Sequence, residues 1–325
     1  MIVFFIILAV TGCNWLKGAF GNPLLQFDES MLEDELNLRE NVQQLQVDET
    51  GQCIFVKSEE GLYSFRSDGT SEDQVCGLYL IARPDQKVEL EFKSFDISCT
   101  KGGLLSVIDG WELNGQFFPS PIDHPKPEEE RYREFCGRNK PRKSFHASQN
   151  VGLVEFRIPT KGQGFTVHVR FRDNLKPCNV VLQEPQGTYT LRNSGRQSNC
   201  SVSVIFPLSI NLLSVSIGVQ RSGRQRTREF ETGLFSKCGK SGLRDWMEIR
   251  GGDGLDPQMM RVATDFCGVS KMPRSRPVSV ACGNTAVRLV SSGRYDNSVT
   301  FTFDIPADFS DLDLVCPNFF GALEL

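Results

Sequence analysis

Apolar and polar residues alternate over several short stretches of the chain. Residues 88–93, 165–171 and 299–305 each place an apolar side chain at every second position. This period of two predicts half-buried β-strands, because successive side chains of a strand point to opposite faces of its sheet. Asn114-Gly115 predicts a tight hairpin turn, since both residues tolerate a positive φ. Further strands are predicted over Val151–Phe156, Ser201–Phe206, Ile210–Ile217 and Ala286–Val290.

The composition supports an all-β protein of two domains. The 325 residues exceed one domain of typical size, and 29 Gly and 16 Pro indicate many turns between short strands. A polar segment, Arg172 to Pro177, separates two sets of predicted strands, and we place the domain boundary after residue 172. Both sides repeat one order of features, which includes Phe135-Cys136-Gly137 on the first side and Phe266-Cys267-Gly268 on the second, each followed later by a predicted strand. Two copies of one β module are therefore predicted.

The N-terminal region predicts a secreted, extracellular protein. Ile2 to Val10 is apolar, too short to span a bilayer and followed by small or polar residues, which is typical of a signal peptide; we assign residues 1–20 to it. A bacterial lipoprotein cleavage box ending at Cys13 is the alternative, although the usual basic residues are missing ahead of it. Residues 21–49 hold eight acidic residues and one arginine. They are interpreted as a solvated acidic leader, with a partner-docking or pro-like segment as the alternative.

Loss of the signal peptide would leave an even number of cysteines. In a secreted chain an even set predicts disulfide bonds, although spacing alone does not choose the pairing. A zinc site is not expected, because even the closest two cysteines, Cys267 and Cys282, lie too far apart for a C-x-x-C pair. The remaining cysteines are Cys53, Cys76, Cys99, Cys136, Cys178, Cys200, Cys238, Cys267, Cys282 and Cys316.

Charge and motifs exclude several classes of function. A net charge of -4 and a pI near 5.6 argue against a nucleic-acid partner and give no reason to expect membrane binding. The sequence has no H-E-x-x-H and no G-x-S-x-G, so we predict neither an enzyme nor a cofactor. Asn199-Cys200-Ser201 is an N-glycosylation sequon and predicts a glycan at Asn199. An unmodified surface asparagine is the alternative, because rapid disulfide formation at Cys200 would hinder the transferase.

The repeated module resembles the CUB domain, an extracellular β-sandwich of jelly-roll type. The shared features are a cysteine, a strand that ends in Asp109-Gly110 in the first copy and in Gly251-Gly252 in the second, and Phe-Cys-Gly. The resemblance implies two tandem CUB-like jelly-roll domains at 50–172 and 173–306, followed by a C-terminal tail, 307–325. Many CUB domains bind calcium through the first Asp of the strand motif. Here Gly103 takes that place in the first copy, and Asp245 of the second copy has only Asp296 near it, so no metal is expected.

A closer resemblance rests on several longer strings. They include Asp109 to Gly115, Phe118-Pro119-Ser120, Asp123-His124-Pro125, Pro177-Cys178-Asn179-Val180, Asn199-Cys200-Ser201 and Asn284 to Phe301. These strings resemble the corticotropin-releasing factor-binding protein family, and the resemblance extends from about Val88 to Ile305. It implies consecutive cysteine pairing: Cys53 with Cys76, Cys99 with Cys136, Cys178 with Cys200, Cys238 with Cys267, and Cys282 with Cys316.

This family resemblance implies a function. The chain is expected to sequester a corticotropin-releasing factor-like peptide hormone, such as an invertebrate CRF-like diuretic hormone, and so to limit receptor activation. Such ligands are amphipathic helices whose apolar face would settle into a groove. The alternative is a CUB-type extracellular adaptor that binds a matrix protein or a protease.

The resemblance also suggests where the peptide binds. The family places an Arg four residues before the first mature cysteine and an Asp two residues after it, where this chain has Glu49 and Phe55. The departure suggests a different peptide or a shifted contact surface. The candidate contacts are Ile54, Phe55, Tyr63 and Trp111. For each of them, packing in the core is the favoured alternative: in the first strand for Ile54, Phe55 and Tyr63, and against the Phe117-Phe118 turn for Trp111.

Overall fold

The structure is a computed structural model that describes residues 42–46, 53–69, 74–218, 233–273, 276–306 and 308–317. Their regular secondary structure is almost entirely β-strand, which confirms the predicted fold class. The predicted signal peptide and most of the predicted acidic leader lie outside the described residues. One short helix, α1 (Glu128–Arg131), and a 3-10 turn, Cys99–Lys101, accompany the strands. The strands are β1 (Val42–Leu45), β2 (Ile54–Lys57), β3 (Gly61–Arg66), β4 (Cys76–Ile81), β5 (Gln86–Asp96), β6 (Leu104–Ile108), β7 (Trp111–Leu113), β8 (Gln116–Phe118), β9 (Tyr132–Phe135), β10 (Phe145–His146), β11 (Val151–Arg157), β12 (Gly164–Asp173), β13 (Asn179–Leu182), β14 (Gly187–Arg192), β15 (Cys200–Val204), β16 (Leu208–Ile217), β17 (Gly233–Ser236), β18 (Trp246–Gly252), β19 (Arg261–Lys271), β20 (Val278–Ala281), β21 (Asn284–Val290), β22 (Ser298–Asp304) and β23 (Leu314–Val315).

The first module is a sandwich of two five-stranded sheets. One has the strand order β1-β3-β12-β5-β10, and the other has the order β2-β4-β11-β6-β9. Most neighbouring strands are antiparallel, but the terminal strands β1 and β2 run parallel to β3 and β4. The core between the sheets is rich in phenylalanine. Phe65, Phe156 and Phe165 pack there within 6.4 Å of one another, measured between ring centroids.

The second module repeats this arrangement with its two layers joined through one strand. The layers follow the orders β13-β15-β21-β18-β19 and β14-β22-β16-β20-β23. The first half of β19 pairs with β18, whereas its second half, from Gly268 onward, pairs with β16 in the other layer. The chain therefore crosses between layers at this point.

The Phe-Cys-Gly tripeptide marks this crossing in both modules. Gly268 has a φ of +101°, and a Cβ there would lie 2.4 Å from the carbonyl oxygen of Gly233. Gly137 in the first module has a φ of +97° and bridges to Ile97, which directly follows β5. A residue with a side chain would be strained at either corner, and glycine is not. The sequence repeat is thus a repeat of structure.

The alternating stretches form the predicted strands. Residues 88–93 lie in β5, 165–171 in β12, and most of 299–305 in β22, with Val88, Val167 and Phe301 at most 1% exposed. The other four predicted segments correspond to β11, β15, β16 and β21. Asn114 and Gly115 have φ values of 53° and 76° and form the turn between β7 and β8, as predicted.

Both ends of the described chain depart from the predicted boundaries. Val42–Leu45 falls inside the predicted leader 21–49, but it forms β1, pairs with β3 in parallel, and buries Leu45. The first module therefore begins at Val42 rather than at residue 50. The acidic composition hid this strand, because only one of its four residues is buried. At the other end, Leu314–Val315 extends the second module by pairing with β20, so part of the predicted tail belongs to the sandwich.

Five disulfide bonds cross-link the chain, each within one of the two sandwiches. Two lie in the first module and three in the second, and each cysteine pairs with the next in sequence, as the family resemblance implies. The pairs are Cys53–Cys76, Cys99–Cys136, Cys178–Cys200, Cys238–Cys267 and Cys282–Cys316.

Candidate functional site

A cavity of about 460 Å³ opens into the first sandwich beside the Cys53–Cys76 disulfide. Its apolar wall combines residues from both sheets, among them Leu45 of β1 and Phe156 of β11. Its rim is polar and includes Arg66 and Asp68. The cavity therefore lies in the part of the module where the family resemblance places peptide contact. Its full lining is Gln44, Leu45, Gln46, Phe65, Arg66, Ser67, Asp68, Gln74, Cys76, Phe156 and Ile158.

Strand β2 carries two of the predicted contact residues, Ile54 and Phe55, directly after Cys53 of the disulfide beside the cavity, although neither lines the cavity. Ile54 is 59% exposed, and Val56, which sequence reasoning missed, is 60% exposed on the same side of the strand. Phe55 points the opposite way and packs against the first core, with its ring centroid 6.4 Å from that of Phe65. Large apolar side chains so exposed on a terminal strand are unusual unless a partner covers them.

Two other predicted contact residues are buried, which corrects the candidate set. Tyr63 is fully buried in β3, where its hydroxyl donates a hydrogen bond to the carbonyl oxygen of Glu59 at 2.8 Å. Trp111 is 4% exposed, and its Nε1–H donates to the carbonyl oxygen of Leu80 at 3.0 Å. Both rings fill core positions, as the favoured alternative expected. Of the four candidates, Ile54 and the half-buried Phe55 remain accessible.

The sheet that contains β2 has an outer face that points away from the first core. We call this the outer face; its residues alternate with the buried core positions of β2, β4, β11, β6 and β9. They are Ile54, Val56, Gly77, Tyr79, Ile81, Leu104, Ser106, Ile108, Tyr132, Glu134, Val151, Leu153, Glu155 and Arg157.

The second module covers one part of the outer face. Ile81, Ile108 and Leu153 pack there with Trp111 and with Leu255 of the second module, in a buried apolar cluster. The other part, nearer β2, stays open. It carries Ile54, Val56, Leu104, Tyr79 and Glu155, whose exposure ranges from half-buried to exposed.

Glu155 is the most unusual residue of the open part. Burial raises the pKa of its carboxyl, and the negative charge of Glu112 raises it further. The same carboxylates act on Tyr79, since burial, then Glu112 and Glu155, raise the pKa of its hydroxyl to about 12. Tyr79 donates a hydrogen bond to the carbonyl oxygen of Glu112 at 2.7 Å. No hydrogen bond or ion pair joins Glu155 to any other residue that the structure describes.

A buried ion pair joins the two modules. Both carboxylate oxygens of Asp123 contact the guanidinium of Arg288, at 2.7 and 2.8 Å, and the two side chains are 0% and 5% exposed. Arg288 also lies 3.4 Å from Glu248. Burial alone would raise the pKa of Glu248, but hydrogen bonds from Arg250 and Trp246 and the nearby guanidinium groups outweigh it and lower that pKa. Sequence reasoning missed this pair, because 165 positions separate Asp123 from Arg288.

Asparagine side chains form further hydrogen bonds at the junction between the two modules. Asn150 donates to the carbonyl oxygen of Val181 at 2.8 Å and accepts from its backbone N–H at 3.1 Å, as a strand neighbour would. The sequon residue Asn199 is half-buried at the same junction. Its Nδ2 donates to Asp123 at 2.8 Å, and its Oδ1 accepts from the backbone N–H of Ser291 at 3.0 Å. Glycosylation of Asn199 stays a prediction.

The acidic residues considered for calcium are held by protein donors. Asp245 accepts hydrogen bonds from the backbone and hydroxyl of Ser292, at 3.0 and 2.6 Å, and from Asn297 at 2.7 Å. Asp296 pairs with Arg192 instead, at 2.9 Å. Within the described ranges, no group of three or more His, Cys, Asp or Glu side chains is placed to hold a metal ion. In the same ranges, no helix is long and apolar enough to cross a membrane.

Comparison with known proteins places both modules in one family. The family model of the corticotropin-releasing factor binding protein N-terminal domain matches residues 46–173, and that of its C-terminal domain matches residues 180–311. The corticotropin-releasing factor-binding protein of Ovis aries is 36% identical over 77% of this chain and 74% of its own length. That of Homo sapiens is 37% identical over the same shares.

Solved structures are more distant. The CUB1-EGF-CUB2 domains of rat MASP-1 match 77% of this chain and 99% of their own length, with a TM-score of 0.27 and 14% identity. The two family models together cover most of the chain, and the relatives match well above 30% identity. The chain belongs to the corticotropin-releasing factor-binding protein family.

Proposed function

We propose that this protein is secreted, binds a corticotropin-releasing factor-like peptide hormone outside the cell and withholds it from its receptor. The observation that carries the proposal is membership of a family named for binding this hormone, over both modules. The ten paired cysteines support an extracellular location, because disulfides persist in oxidising compartments. An invertebrate CRF-like diuretic hormone is one ligand of the proposed class.

The first module offers a surface suited to a peptide. Ile54 and Val56 expose apolar area on a terminal strand, and the 460 Å³ cavity opens next to the same disulfide. An amphipathic peptide would bury such side chains with its apolar face and keep its polar face in water. This function requires binding alone, and we propose no catalytic step.

Calorimetry with the purified secreted protein tests binding. A synthetic amidated CRF-like peptide should bind saturably with one site per chain, and a scrambled peptide of the same composition should not. No heat at micromolar concentrations with any CRF-like peptide of the same animal would refute the proposal. Sequestration has a separate test: stoichiometric protein should shift the dose-response curve of receptor-bearing cells to higher peptide concentration.

The alternative is an extracellular adaptor that binds a folded matrix protein or a protease. It predicts calcium-dependent binding to that partner which excess peptide does not displace. The same preparation can be tested for both in one competition experiment.

A further inference from the structure

We propose that the open part of the outer face is the docking surface for the ligand peptide, and that Glu155 is the residue that pairs with a basic side chain of that peptide. The inference rests on the proposed function and names the residues that would carry it. Three features of the described structure support it, namely the apolar edge, the position of Glu155, and the charges around that carboxylate.

The apolar edge supplies the area to be buried. Ile54 and Val56 point outward from β2, which is the terminal strand of its sheet, and Val75, next to Cys76, is 56% exposed. The equivalent positions on the covered part of the outer face are buried by the second module. The outer face thus has two apolar regions. The second module covers one of them, and no described residue covers the other, which lies at the β2 edge.

Glu155 sits in the middle of the sheet with little to shield it. Strand register places it opposite Gly77 on one side and Ser106 on the other. Glycine and serine have the smallest side chains on this face, so neither can cover the carboxylate. The ring of Tyr79 lies over Gly77, where a Cβ on residue 77 would be only 2.6 Å from that ring. The ring therefore flanks Glu155 on this side. The result is a half-buried carboxylate that an arriving side chain can reach.

The charges around Glu155 select a cation. Glu112 faces it from β7 and Glu134 lies across β6 on β9, while the one basic residue of the outer face, Arg157, has an interaction of its own. Glu155 has no hydrogen bond or ion pair in the described part of the chain, while its burial and the charge of Glu112 raise the pKa of its carboxyl. A lysine or arginine of the ligand would supply the missing donor, and the open apolar edge would take the neighbouring apolar side chains of the same peptide.

Charge variants of the full secreted protein test the assignment. Glu155→Gln should weaken binding of a synthetic CRF-like peptide by about tenfold, the effect of losing one charge-assisted hydrogen bond, and Glu155→Lys should weaken it further. Glu184→Gln, an exposed glutamate of the second module, is the matched control and should bind like the unmodified protein. Near-ultraviolet circular dichroism and the denaturant midpoint verify that each variant is folded.

Peptide variants identify the pair. Each Lys and Arg of the peptide is replaced in turn by Gln, and one replacement should weaken binding to the unmodified protein but cause no further loss with Glu155→Gln. Ile54→Ser combined with Val56→Ser should weaken binding independently of that peptide charge. If the unmodified protein binds the peptide and both Glu155 variants bind it within twofold of the same affinity, the docking surface is wrong and the proposed function stands. If the unmodified protein binds no such peptide, the proposed function itself fails.

A second copy of the chain is the competing occupant of this surface. Sedimentation equilibrium distinguishes it. Dimers of the unmodified protein that Glu155→Lys dissociates, together with unchanged peptide affinity, would overturn the inference in favour of self-association.

Discussion

Replacement of Asp123 by alanine should destabilise the protein strongly, because it leaves Arg288 charged and buried at the module junction. Both oxygens of Asp123 lie within 2.8 Å of the guanidinium, and neither side chain is more than 5% exposed. Breaking a buried ion pair by removing one partner costs about 3 to 5 kcal/mol. Glu248, 3.4 Å from Arg288, still offsets part of the stranded charge. We therefore expect a loss near the lower end, about 3 kcal/mol.

Denaturant unfolding with the disulfides intact, followed by circular dichroism, measures this loss. The matched control is Asp85→Ala, which breaks an ion pair with Arg83 whose side chains are 72% and 68% exposed, and which should cost about 0 to 1 kcal/mol. The double variant Asp123→Ala with Arg288→Met should lose less stability than the sum of the two single variants, because it removes the stranded charge. A cost for Asp123→Ala no larger than that of Asp85→Ala would refute the argument that burial makes this pair matter.

Three further predictions follow from the described contacts. Trp111→Ala should cost about 3 to 5 kcal/mol of unfolding free energy through lost core packing, yet leave the peptide Kd unchanged where the variant is folded; a selective loss of affinity would restore Trp111 as a contact. Replacement of Cys53 and Cys76 by alanine should cost about 3 kcal/mol, measured by denaturant unfolding, since the bond closes a loop of 23 residues; an unchanged midpoint would contradict this. Acid should destabilise the fold through Asp109. Burial of Asp109 raises the pKa of its carboxyl, but hydrogen bonds from buried and half-buried neighbours outweigh that effect and hold this pKa well below 3.8. Because its pKa is lower when folded, its contribution is present above about pH 4 and is lost as the pH falls, so Asp109→Asn should be less stable at neutral pH with a flatter decline in acid; parallel pH profiles would count against it.

The sequence predicted the strands well because their pattern is local. Alternation at residues 88–93 and 165–171 identified strands that bury one side, and Asn114-Gly115 identified a turn whose φ values only a few residues tolerate. The Phe-Cys-Gly repeat was recognisable as a string, and the structure shows its physical cause in the strand crossing at Gly137 and Gly268. The short strand Val42–Leu45 was missed, since one buried residue in an acidic context gives no periodic signal.

The candidate site was only partly predictable. The resemblance directed attention to the region after Cys53, and Ile54 is indeed exposed there. Burial of Tyr63 and Trp111 followed from packing, since Trp111 is enclosed by residues as distant as Leu255 of the second module. No local pattern distinguishes a tyrosine or tryptophan that fills a core from one that meets a ligand.

The sequence by itself determined that this chain is an all-β, disulfide-bonded protein of two repeated modules. Alternation and turn residues are local patterns, and the number of cysteines can be counted without knowing the fold. Only the tertiary structure decided which part of a sheet stays open and which charges have no partner among the described residues. Glu155 is one glutamate among many in the sequence, and it stands out only because register sets it between Gly77 and Ser106. Asp123 and Arg288 meet because two modules fold against each other, and that contact depends on the packing of the whole chain.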